Sequence, residues 1–119
     1  MRVPTFMLKK LYVPGSLTAS GDGFSFKLRN TLATATLTSA PQIKVDGNDL
    51  PQSSVVAILG GSTLTAKDVT ADTPLALTKG AEVEMVVSGT TLAPGKHQIA
   101  ITAESKEWET IAFEVEDQV

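Results

Sequence analysis

Hydrophobic and polar positions alternate with a period of two along most of the chain. Phe24, Phe26 and Leu28 are separated by Ser25 and Lys27, and Val83, Met85 and Val87 by Glu84 and Val86. Ile99 and Ile101 lie between Gln98, Ala100 and Thr102, while Ile111, Phe113 and Val115 alternate with Ala112, Glu114 and Glu116. In a strand this spacing sends one set of side chains to a core and the other to solvent. Val55 to Leu59 is continuously apolar, which predicts a strand covered on both faces. No segment carries a sustained helical stripe, and the abundant threonines suit pleated surfaces better than helices.

Turn residues punctuate these runs: Pro14-Gly15, Gly21-Asp22-Gly23, Asp46-Gly47-Asn48, Gly60-Gly61, Lys79-Gly80 and Pro94-Gly95. Each supplies the free or fixed φ that a turn needs. Short strands at this spacing predict an all-β fold, an immunoglobulin-like antiparallel β-sandwich formed by a single domain over residues 1–119. Strands are expected near 82–88, 96–104 and 110–116. The last two would form a hairpin through Ser105-Lys106-Glu107-Trp108.

The N-terminal stretch stands apart. Phe6, Met7, Leu8, Leu11, Tyr12, Val13 and Leu17 are too many apolar residues for a free tail. Part of them is expected to form a first strand that closes the sandwich. Any that stay exposed would make a patch of the kind found at protein interfaces. Residues 1–17 are therefore read as a docking strand or arm.

Charge modifies this picture more than composition does. The net charge of −3 opposes a nucleic-acid partner, which selects a basic face. Residues 1–30 nevertheless carry +4, and residues 82–119 carry −6. Solvated faces explain such a split, and so does a basic N-terminal part that docks on an acidic partner. The chain has no cysteine, which removes disulfides, thiol nucleophiles and thiolate metal sites and fits a reducing compartment. Pro4, Lys9 and Lys10 interrupt the first apolar stretch before it reaches signal-peptide length, and no run approaches a membrane helix. A cytoplasmic protein without a membrane partner is expected.

Candidate chemistry is sparse. The single histidine, His97, shares strand parity with Ile99 and Ile101 and reads as a hydrogen-bonded structural residue. Asp46, Asn48 and Asp49 lack the remaining ligands of a calcium loop and read as turn formers. Gly60-Gly61-Ser62-Thr63-Leu64 has Leu64 where a nucleophile elbow requires glycine, and it lacks the lysine of a phosphate loop. Glu82 and Glu84 share a strand face directed at water rather than a cleft. Sugar binding would want several aromatic platforms, and the chain has one tryptophan, Trp108, and one tyrosine, Tyr12. No catalytic residue, cofactor-binding residue or metal ligand is assigned.

Leu11-Tyr12-Val13-Pro14-Gly15-Ser16-Leu17, followed by Asp22-Gly23-Phe24-Ser25-Phe26-Lys27-Leu28-Arg29-Asn30-Thr31-Leu32-Ala33, resembles the small β subunits of bacterial C-glycoside deglycosidases. Val45-Asp46-Gly47 and Leu92-Ala93-Pro94-Gly95-Lys96-His97 extend the likeness over most of the chain. The resemblance implies a non-catalytic subunit bound to a larger (β/α)₈-barrel subunit in a hetero-oligomer. That partner would hold a divalent metal, Mn2+, and cleave the bond between a 3-oxo-glucosyl unit and a flavonoid-type aglycone. Phe6, Leu11, Tyr12, Val13, Arg29 and Asn30 are the expected docking residues, because this third combines apolar density with both arginines, Arg2 and Arg29. The competing reading is a stand-alone β-sandwich that binds a glycoside or a protein ligand.

Overall fold

The computed structural model describes residues 3–119, so Arg2 lies outside the described residues. Among the described residues eleven strands, numbered in chain order, form two antiparallel sheets. The first sheet runs β1 (Thr18–Ser20), β2 (Gly23–Arg29), β9 (Glu82–Val87), β6 (Val55–Leu59), β7 (Ser62–Thr65). In the second, β11 (Glu109–Gln118) pairs along one side of β10 (Lys96–Ser105). The other side of β10 is shared. Its middle, Ile99 to Thr102, takes β4 (Gln42–Val45), backed by β5 (Asn48–Asp49), and its end takes β3 (Ala35–Leu37), backed by β8 (Leu75–Leu77). The result is the immunoglobulin-like antiparallel β-sandwich that the alternation predicts.

The alternating residues meet between the sheets. Phe24, Phe26, Val83, Met85 and Val87 face Ile43, Ile99, Ile101, Ile111 and Phe113 across one core. Phe26 and Ile99 are fully buried. Gly23 is needed where β2 meets β9, because a Cβ there would lie 1.8 Å from the Val87 carbonyl oxygen. The hairpin strands lie at Lys96–Ser105 and Glu109–Gln118, around the expected turn.

Two local expectations change. In Val55–Leu59 only Val55 and Ala57 are buried; Val56, Ile58 and Leu59 are half-buried. The strand is covered on one face, and the outer face is open to water beside Val86, which pairs with Val56. The predicted first strand is instead a short helix, α1 (Thr5–Leu8), continued by a 3-10 turn over Lys9–Leu11. Only Tyr12 adds a single bridge, to Leu28. Leu8, Leu11 and Tyr12 are spaced i, i+3, i+4, so a helical turn puts all three on one face, and all three are buried. A strand would have sent Leu11 and Tyr12 to opposite sides.

This segment is a strap across the open side of the sandwich. The Val13 N–H donates to the Lys27 carbonyl on β2, whereas α1 and the 3-10 turn pack against β11 on the other sheet.

Candidate functional site

Polar residues with inward strand parity collect at both ends of the sandwich. At one end, β2 closes on Asn30, which continues the line Phe24, Phe26, Leu28. Its side chain is 5% exposed. Asn30 Nδ2 donates to the carbonyls of Ala33 (2.7 Å) and Leu77 (2.8 Å), and Oδ1 accepts from the Leu32 N–H (3.2 Å). Its backbone bonds to Gly80 and Ala81. One side chain thus ties the end of β2 to β8 and to the turn after it. Beside it, buried Ser105 accepts from the Trp108 N–H and donates to the Glu109 carbonyl, shaping the β10–β11 turn.

The other end is ionic. Asp117 shares parity with Ile111 and Phe113, and its Oδ2 accepts from the Tyr12 hydroxyl (2.7 Å) and the N–H groups of Gly15 (3.0 Å) and Leu17 (3.2 Å). Partial burial pushes its pKa up. The Tyr12 hydroxyl and the N–H groups of Gln118, Leu17 and Gly15 outweigh that effect and leave it below the ordinary carboxylate value. Burial and the Asp117 charge push the Tyr12 phenol upward. The Tyr12 ring also packs against Phe26 in a tilted arrangement, with centroids 5.8 Å apart.

Across the ladder from Asp117 lies His97. Its Nε2 is 2.7 Å from the Ala93 carbonyl and its Nδ1 is 2.6 Å from Asp46 Oδ2. A carbonyl oxygen only accepts, so Nε2 carries a proton, and a carboxylate at 2.6 Å favours one on Nδ1 too. The Ala93 carbonyl and then Asp46 accordingly hold the imidazole pKa above its ordinary value. Asp46 Oδ1 also accepts from the Gln98 N–H (2.9 Å), which lowers the Asp46 pKa, helped by His97. Asp46 and Gly47 both have positive φ, 52° and 84°, as a two-residue hairpin turn requires.

This geometry does little chemistry. Both ring nitrogens of His97 are engaged, Asp117 is held by four donors, and exposed Glu82 pairs with Lys27 at 4.0 Å. No buried side-chain nitrogen or oxygen lacks a partner among the described residues, and no three His, Asp or Glu side chains there could hold a metal ion. Two adjoining apolar cavities between the sheets measure about 40 and 60 Å³. A benzene-sized ligand needs roughly 150 Å³.

The expected docking residues divide. Leu11, Tyr12 and Asn30 are buried and tie the chain to itself. Val13 is half-buried, while Arg29 and Phe6 are exposed, Phe6 by 67%. The sugar-binding alternative loses its platforms, because Trp108 is 3% exposed and Tyr12 5%. Sequence reasoning missed Asp117, although its inward parity was readable from Phe113 and Val115. No helix among the described residues is long and apolar enough to cross a membrane.

No curated protein matches the chain. The family described as Hydroxymethylglutaryl-CoA reductase, N-terminal domain, matches residues 7–119, all but the first six positions, and the chain belongs to that family. This overturns the C-glycoside deglycosidase reading and the role in flavonoid glycoside breakdown. The motif that suggested it, Leu11 to Ala33, is accounted for by folding: Leu11, Tyr12 and Leu17 seat the strap, Gly23 admits β9, and Asn30 closes the sandwich end. The barrel partner and its manganese rest on that resemblance alone.

Proposed function

We propose that this member of the hydroxymethylglutaryl-CoA reductase N-terminal domain family is a non-catalytic accessory domain that supports a reductase's catalytic portion, in the cytoplasm. The observation that carries the reading is the engagement of the inward-facing polar residues. Asn30, Ser105, His97 and Asp117 each hold a strand end, a turn or the strap. An active site keeps a nucleophile, base or donor set aimed at an open cleft. Here the interior cavities are apolar and small. A rigid sandwich of this kind acts on a neighbour by ordering the segments it touches. The lack of cysteine suits a reducing compartment.

The test uses the purified chain and a hydroxymethylglutaryl-CoA reductase catalytic polypeptide from the same source. Alone, the chain should neither consume hydroxymethylglutaryl-CoA nor give binding heat with it. Added to the catalytic polypeptide, it should raise that polypeptide's melting temperature. Turnover by the chain alone, or no effect on the catalytic polypeptide, would overturn the reading.

A further inference from the structure

We infer that the outer face of the first sheet is the contact surface of a homodimer, in which two copies pack face to face about a two-fold axis along the seam between β2 and β9. The inference stands apart from the reductase reading and rests on the order of charge, ridge and hollow across that face. Parity sends Ser25, Lys27 and Arg29 of β2 outward, with Glu82, Glu84 and Val86 of β9 and Val56 and Ile58 of β6. All are exposed or half-buried. Lys27 lies opposite Glu84 and Arg29 opposite Glu82, while Val56 and Ile58 lie on the far side of β9, opposite Val86 and Glu84. In strips one strand wide, the face is basic, then acidic, then apolar.

Outside the basic strip the chain supplies a hollow. The Val13 N–H donates to the Lys27 carbonyl, Ser16 Oγ accepts from the Lys27 N–H, and Thr18 lies opposite Ser25. With Pro14 these residues wall an open crevice of about 440 Å³ over Ser25 and Lys27. The hollow therefore lies one strand outside β2, and the Val56–Ile58 ridge one strand outside β9. A two-fold along the β2–β9 seam lays β2 of each copy over β9 of the other and each ridge over the other copy's hollow, a self-complementary arrangement. Lys27 then meets Glu84 of the other copy, and Arg29 meets its Glu82. Arg29 and Glu84 make no ion pair among the described residues, and Lys27 reaches Glu82 of its own chain only at 4.0 Å.

The same charges select this axis over others. A two-fold across the strands would lay the basic strip on itself, and one along β9 would oppose Glu82 and Glu84 to their own copies. Along the seam, the strands of the two copies run alongside one another, as in aligned sheet packing. Five strands at about 4.8 Å, and roughly five residues at about 3.3 Å, give a face of about 24 by 16 Å. Side-chain relief and the filled hollows bring the total buried area to about 1,000 Å², the low end for a specific interface. The dimer is accordingly expected to form at micromolar concentration.

Sedimentation equilibrium of the full chain, from micromolar to near-millimolar concentration, should show a dimer that weakens as salt is added. K27E and E84K should each weaken it by about tenfold or more, because each change acts twice across the axis. K27E/E84K restores opposite charges between copies and should restore the dimer. I58K puts a charge on the ridge and should abolish it. These side chains lie on the outer face, and circular dichroism establishes that each variant is folded. A wild type monomeric at every concentration, a dimer indifferent to I58K, or a folded K27E/E84K variant that stays monomeric each overturns the inference.

Discussion

The two ends of the sandwich are closed by different chemistry. At the Asn30 end the buried polar groups are an amide and a hydroxyl, satisfied by backbone carbonyls and N–H groups. At the Asp117 end, two carboxylates and an imidazole hold the strap and the loop before β10. A neutral closure is indifferent to pH, and its loss strands buried backbone groups. An ionic closure keeps its partners nearer water, so each bond contributes less and the whole depends on protonation. The core between the ends is one; its closures respond to different conditions.

The sharpest way to break the comparison is at the neutral end. Asn30→Ala should strand the Leu32 N–H and the Ala33 and Leu77 carbonyls, costing about 3 kcal/mol. Denaturant unfolding should show this loss at every pH between about 5 and 8, since no proton is involved. A cost that varied with pH would mean that the two ends are not independent.

Next comes Asp117→Ala, which removes the acceptor for Tyr12, Gly15 and Leu17. The expected loss is about 2 kcal/mol, because Gly15 can turn to water. Amide exchange should separate it from the first variant. Protection should fall in residues 5–17 and hold in β9 and β10, which pack in the core without the strap. Tyr12→Phe keeps the ring contact with Phe26 and removes one hydrogen bond. It should cost about 1 kcal/mol, read in the same unfolding experiment. If it equals Asp117→Ala, the hydroxyl holds the strap alone.

Legibility in the sequence follows the same division. The strands were readable because their alternation is sustained: Phe24-Phe26-Leu28 and Ile111-Phe113-Val115 allow one parity only. The closures were less so. Asn30 and Asp117 extend those lines by one step, as Asn30 after Leu28 and Asp117 after Val115, but a polar residue at a strand end looks like a solvated one. Parity gives direction; burial depends on what crosses above, and here that is a strap more than a hundred residues away from Asp117 in sequence. The strap was misread as a strand because seven residues are too few to set one period against another. Leu8, Leu11 and Tyr12 carry the helical spacing, while Tyr12-Val13 reads equally well as strand.

The smallest effect is the most diagnostic of the ionic end. Asp46 and Asp117 have lowered carboxylate pKa values, so their stabilisation is present above the unfolded value near 3.8 and is lost as pH falls through their folded values. His97 has a raised pKa, so its contribution is complete below the unfolded value near 6.5 and is lost as pH rises through the folded one. Both closures at this end are therefore intact only between those limits. Raising pH from about 6 to about 9 should take the proton from His97 Nδ1 and leave its lone pair against Asp46 Oδ2, loosening the Ala93 loop. Melting temperature should fall slightly across that range in the wild type and stay level in His97→Gln, with amide exchange around residues 89–95 rising in parallel. Because Asn30 has no proton to lose, Asn30→Ala should show the same alkaline decline as the wild type from a lower starting point. A decline that persisted in His97→Gln would assign it to some other group and leave the Ala93 loop held by its backbone alone.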